Sequence, residues 1–175
     1  MSSTKGINFP TLSLKDALDL AILIEEEACE RYQEFADQME IHRTHEAAQF
    51  FRLMAGNEEK HRSELAARRV ERFAAQPSSV TRSMIFDIEA PDYDEARAFM
   101  TERAALRAAL RSEEKAYAFF VAALPQIKDD AVRALFEELR DEEVEHQELV
   151  RREIKKAPAD PNLPDDDFGD EPVGQ

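Results

Sequence analysis

Residues 51–61, FRLMAGNEEKH, and residues 136–146, FEELRDEEVEH, share the pattern F-x-x-(M/L)-x-x-x-E-x-x-H. Phe51, Met54, Glu58 and His61 of the first align with Phe136, Leu139, Glu143 and His146 of the second. Upstream of each lies a second shared pattern, E-x-x-A-x-x-x-(Y/F). Glu25, Ala28 and Tyr32 match Glu113, Ala116 and Phe120. One layout therefore occurs twice, with two carboxylates and one imidazole in each copy. Residues three apart share a helix face. The Glu and His of each E-x-x-H step can thus approach one metal, or the Glu can bridge two metals while the His caps one. Two helical hairpins supplying such sets make the ligand sphere of a two-metal carboxylate bundle. The candidate ligands are Glu25, Glu58, His61, Glu113, Glu143 and His146.

Composition and periodicity predict an all-α fold. The chain has 175 residues and 4 glycines, and it is rich in the helix formers Ala, Leu, Glu and Arg. Four helices are expected, at about 14–39, 44–73, 94–124 and 130–155. Each carries an apolar stripe at 3.6-residue spacing, and each candidate ligand replaces a core residue near the middle of that stripe. Around Glu25, the residues Glu26, Glu27, Glu30 and Glu34 fall mostly off the stripe and read as a solvated face. A short turn near 40–43 joins the first pair. Pro125 stops the third helix, and Asp129 can cap the fourth. The link from 74 to 93 holds Pro77, Pro91 and the apolar run Met84-Ile85-Phe86. That length suits a packed crossover between two hairpins, whereas a disordered linker would not need the apolar run. The first domain is read as 1–156 and an acidic, Pro-rich flexible tail as 157–175. Phe168 is the residue on which a docking role for that tail would rest.

The turns also set the heights of the ligands. Glu25 and Glu58 are equidistant from residues 41 and 42, inside the first expected turn. Glu113 and Glu143 are equidistant from Lys128, inside the second. Each carboxylate therefore lies roughly 15 residues, or about 22 Å, from its turn at the helical rise. All four fall in one layer. Carboxylates buried together repel and take up protons unless cations neutralise them.

Other readings of these residues exist. A lone E-x-x-H in a Glu-rich chain is more often surface than ligand, and His42 and His45 fall at the first turn, where solvated side chains are expected. Arg31, Arg62, Arg103 and Arg107 offer a metal-free way to neutralise the layer. The twofold repeat and the matched heights favour metal. Zinc is more usually held by Cys and His in a tetrahedral site, while four Glu and two His suit iron or manganese.

The formal net charge of −15 argues against nucleic acid and anionic membrane as partners, since both are bound through basic surface. Cys29 is the one cysteine, which excludes an internal disulfide or a C-x-x-C motif. Neither a signal-like h-region nor a membrane-length apolar run is present, so the expected compartment is the cytoplasm.

With these residues in place, the chain resembles the rubrerythrin-like branch of the ferritin-like superfamily over about residues 14–155. The specific segments are EEEACERYQEFA at 25–36, NEEKHRSEL at 57–65 and DEEVEHQEL at 141–149. The resemblance implies a four-helix bundle around two iron ions that react with O2 or peroxide. It implies terminal carboxylates at Glu25 and Glu113, bridging ones at Glu58 and Glu143, and nitrogen ligands at His61 and His146. Tyr32 resembles a tyrosine that hydrogen-bonds a ligand carboxylate from outside the metal sphere, whereas Phe120 in the other half cannot. Tyr117 lies one turn past Glu113 near the inner face.

Two departures from the family stand out. Peroxidase-type rubrerythrins carry a further glutamate where this chain has Ala116, with Ala28 as the counterpart, and rubrerythrins proper have a cysteine-rich electron-transfer domain that this sequence does not show. The expected activity is therefore oxidation of Fe(II) by O2 or H2O2, in iron handling or oxidative-stress protection. A peroxidase fed by an external electron donor and a non-catalytic iron binder are the alternatives. A homodimer is the expected assembly. Gly56, inside the second helix, is expected to mark close packing.

Overall fold

The computed structural model describes residues 6–85, 88 and 101–160. Among them the elements are α1 (Leu14–Ile41), α2 (His45–Phe73), a single turn α3 (Arg82–Ile85), α4 (Glu102–Ala123) and α5 (Asp130–Lys156). The first, second and fourth expected helices agree with α1, α2 and α5 to within two residues. The third begins later than its apolar pattern suggests. Thr101 has extended backbone and its side chain accepts a hydrogen bond from the Ala104 amide, so it caps α4 and fixes the start at Glu102. Residues 94–100, expected to be helical, lie outside the described residues.

Both hairpins close through specific backbone bonds. Arg43 takes the left-handed conformation at φ 61°. The Arg43 amide donates to Glu40 and the Thr44 amide to Met39, the paired bonds of a Schellman turn. In the second hairpin Asp129 accepts from the Ala131 and Val132 amides at 2.9 and 3.0 Å. The Arg133 guanidinium meanwhile donates to the carbonyls of Leu124 and Ile127. These closures set the register of each helix pair and hence the level at which mid-helix residues meet.

The start of the crossover is held onto the first hairpin. Arg69, buried on α2, donates to Asp19 of α1 at 2.7 Å and to the carbonyls of Ala74 and Gln76. Arg82 forms ion pairs with Glu26 and Glu30. Ile85 and Ile88 are buried in the same apolar cluster as Phe9, Leu18 and Phe136, which makes this stretch a packed connection. Phe86, the last member of the apolar run, lies outside the described residues. At the other end of the chain, Ala157 is buried, and Arg103 donates to the carbonyls of Ala157 and Pro158. The first residues of the expected tail thus follow α5 onto α4. Residues 161–175, with Phe168, lie outside the described residues.

The core has two parts. One cluster gathers Cys29, Tyr32, Phe35, Met39, Phe51, Met54, Leu106, Leu110, Val150 and Ile154. The other gathers Ile24, Leu65, Phe119, Phe120, Phe136 and Leu139, with the N-terminal and crossover residues. Along every long helix the chain passes from one cluster to the other across a candidate ligand. On α1 this is Glu25, on α2 Glu58 and His61, on α4 Glu113, and on α5 Glu143 and His146.

Two substitutions test this packing. Gly56 is exposed, and a Cβ there would meet nothing within 4 Å. The close packing expected of it is not found. Gly56→Ala is predicted to stabilise the protein by about 1 kcal/mol through helix propensity, read as a higher urea midpoint with unchanged slope. Phe136 is fully buried, with ring centroids 5.4 Å from Phe120 and 6.2 Å from Phe9. Phe136→Ala is predicted to cost about 3–5 kcal/mol in the same denaturation experiment.

Candidate metal centre

The layer between the two clusters is polar and largely sealed. Glu25, Glu58, Glu113, Glu143 and His146 are all buried, and His61 is half-buried. Donor atoms of Glu113, Glu143 and His146 lie within 4.8 Å of one another. The same holds for Glu58, His61 and His146, and for Glu25, His61 and Glu142. All six candidate ligands therefore converge, linked through the two histidines. Their imidazoles stack with centroids 5.4 Å apart and planes 7° from parallel. Glu58 belongs with both imidazoles, the position a bridging carboxylate requires. Glu143 groups with Glu113 and His146 only.

Several of these donor atoms make no hydrogen bond within the protein. Glu25 Oε2, both oxygens of Glu113, and Nδ1 of His61 and His146 are buried without a hydrogen-bond partner. The nearest contacts of His146 Nδ1 are Glu58 Oε1 at 3.3 Å and Glu113 Oε2 at 3.4 Å, close enough for charge attraction. His61 Nδ1 is 3.9 Å from both Glu25 and Glu142. Buried polar atoms ordinarily find partners, because leaving one unsatisfied costs about 1–3 kcal/mol. Several in one layer, with lone pairs converging, are what a cation would satisfy. Of the arginines that could neutralise the layer without metal, Arg31 donates to Glu34, Arg62 to Glu59, and Arg103 to the backbone after α5. His42 and His45 are exposed at the first turn, as expected, and His45 pairs with Glu40.

Electrostatics follow from this burial. Desolvation pushes the Glu25 carboxyl up to about 7, with the Glu113 charge adding to the shift. Burial likewise raises Glu142 to about 7, helped by the charge of Glu25. Burial also works against a charge on His146, yet the carboxylates of Glu113, Glu25 and Glu142 hold its pKa above the ordinary histidine value. Burial and the neighbouring His146 lower that of His61. Burial and the surrounding carboxylates therefore pull in opposite directions on His146, and the carboxylates prevail.

Glu142 is the site residue that the sequence patterns do not single out. It is absent from the repeat, because the aligned residue before Glu58 is Asn57. The available signal was its position four residues before His146, one turn away on the same helix side. Tyr32 is buried and its ring stacks on Phe51 at 6.1 Å. Its hydroxyl makes no hydrogen bond, so the expected bond to a ligand carboxylate is not formed. The ring is part of the apolar cluster that begins one turn past Glu25. Ala28 and Ala116 are both fully buried, and Tyr117 is half-buried.

A family model for rubrerythrin matches residues 16–154, a span that includes all six candidate ligands. The chain belongs to the rubrerythrin family. It is also similar to a solved structure, that of an uncharacterized conserved protein from Magnetospirillum magnetotacticum. The two are 31% identical with a TM-score of 0.72, and the match covers 85% of this chain and 98% of the other. No curated protein matches the chain. The fold is thus ferritin-like, in a family of di-iron proteins, and the residues of the polar layer suit such a centre. None of the described helices is long and apolar enough to cross a membrane.

The pKa shifts lead to a pH prediction for the metal-free rubrerythrin-family chain. A carboxyl raised from 4.5 to about 7 on folding stabilises the fold fully below about pH 4.5, and that contribution is lost as pH rises through about 7. The raised pKa of His146 acts in the same direction. Chelator-treated protein should therefore lose stability between about pH 5 and pH 8. The Glu25 carboxyl and the buried carboxylates around it set the size of that loss together. Thermal melts across that range, with and without added Mn(II), measure it. A flat metal-free profile would contradict the buried cluster.

Proposed function

We propose that this protein is a di-iron oxidoreductase that oxidises Fe(II) with O2, in iron handling or oxidative-stress protection. The observation that carries the proposal is the set of buried, unpartnered donors on Glu25, Glu113, His61 and His146. Glu25 and Glu113 would be terminal ligands, Glu58 the bridge, Glu143 a ligand on the His146 side in place of the second bridge that the family pattern implies, and His61 and His146 the nitrogen donors. Carboxylate and imidazole donors of this kind suit iron, and manganese fits the same set. Bound iron supplies the electron-transfer chemistry with O2 or H2O2.

The protein's own part is geometric and electrostatic. Four helices bring the carboxylates to one level and exclude bulk water on the Glu113 side, where the exposure of the side chain is 0%. His61, 18% exposed, marks the side from which a small oxidant or a cation can enter. The Glu58 carboxylate, in reach of both imidazoles, would couple the two metal positions. Removing it should disturb both, whereas removing His61 should disturb one. Ala116 supports O2 over peroxide, because no additional carboxylate stands there to favour the peroxidase chemistry of the family.

Two measurements test this reading. Metal analysis of protein from iron-replete cells is expected to give two ions per chain. One per chain would contradict the dinuclear assignment. His61→Ala should retain about half the metal, and Glu58→Ala less than that. Stopped-flow mixing of the Fe(II)-loaded protein with equal O2 and H2O2 should give comparable rates of ferric absorbance. A peroxide rate faster by about two orders of magnitude or more would move the assignment to a peroxidase with an external donor. No oxidation by either would leave an iron-binding protein.

A further inference from the structure

The two halves of the centre are not equivalent. The Glu113, Glu143 and His146 group is wholly buried, while the Glu25, His61 and Glu142 group opens toward solvent. Glu142 comes from the second hairpin but faces the histidine of the first. Its carboxylate is 3.9 Å from His61 Nδ1, with 28% of the side chain exposed. Other acids along α5 pair with basic residues: Glu138 with Arg68, Asp141 with Arg140, Glu148 with Arg152 and Glu153 with Lys156. Glu142 does not, and among the described residues the only basic group within 4 Å of it is His61. Beneath it Glu25, only 4% exposed, directs an unpartnered Oε2 toward the same imidazole at 3.9 Å. Three donors from three helices thus enclose one point, and the deepest of them, Glu25 Oε2, makes no hydrogen bond within the protein.

We propose that Glu142 is a seventh metal ligand, completing with Glu25 and His61 the solvent-facing half of the centre for a divalent cation. The proposal rests on the two-metal reading above. It also departs from the internal repeat, since Asn57, the counterpart of Glu142, carries no charge. The half-site with the more exposed histidine thereby gains an anionic oxygen donor, and this is the first carboxylate a cation meets on its way in. That donor offsets the weaker exclusion of water on this side. A hard, charged oxygen ligand binds a divalent ion more strongly than the amide of a glutamine in the same place.

The test is a Co(II) titration of the metal-free full-length chain, because Co(II) visible bands report coordination number and donor set. Wild-type protein is expected to bind two ions. Glu142→Gln keeps shape and removes charge. It should weaken one of the two sites at least tenfold and change the band shape of that site, leaving the other within about threefold. Glu145→Gln, an exposed acid on the same helix, controls for loss of surface charge. An isotherm and spectrum in Glu142→Gln indistinguishable from wild type would overturn the proposal. So would equal effects of the two variants. If wild type binds a single ion, the dinuclear reading fails separately. Glu142 stands as a ligand in that case only if its variant still weakens that ion and alters its spectrum.

Discussion

Mutual repulsion among carboxylates held in a water-poor layer is the constraint from which the rest of this structure follows. Glu25, Glu58, Glu113 and Glu143 are buried at one level, where Coulomb energies are several times larger than in water. No arrangement of apolar residues relieves that conflict. Protonation relieves part of it, as the raised pKa values of Glu25 and His146 indicate. A pair of divalent cations relieves it more completely. The fold tolerates the layer because each helix continues on both sides of it, with apolar clusters above and below.

Holding the four carboxylates level depends on features far from them. The Schellman closure at Arg43 and the capped turn at Asp129 set the helix registers. A one-residue change in either turn would rotate a ligand by about 100° away from the interior. The Arg69–Asp19 pair and the burial of Ile85 and Ile88 then fasten the crossover to the first hairpin. Precision at the centre is thus assembled from turn chemistry and packing, as well as from the ligands themselves.

Much of this was readable in the sequence because helical periodicity and the internal repeat are local signals. The repeat identified six residues that the structure brings together, and the distances to the turns anticipated their common height. What escaped depends on tertiary context. The start of α4 at Glu102 is decided by a single threonine cap within an apolar pattern that continues upstream. Gly56 looked like a packing device, yet it faces open space. Tyr32 shares the face of Glu25, but two helical turns carry its ring into the apolar cluster, away from a carboxylate partner. Glu142 breaks the symmetry of the repeat, whose other half has Asn57 at that place, so the repeat does not mark it.

The division of the core into two clusters has a consequence for cooperativity. A single continuous core transmits packing from end to end, so that local openings are opposed by the whole domain. Here that transmission crosses a stratum of charge, and its strength depends on what neutralises the stratum. With cations bound as proposed, carboxylates from all four long helices would share the same ions, and the two ends would behave as one unit. Without them, the end built from Phe35, Phe51 and Leu106 faces the end built from Phe119, Phe120 and Phe136 across the uncompensated charge of that layer. A bound metal pair would in this sense be the keystone between two half-domains, and metal supply would set how far a fluctuation at one end is felt at the other.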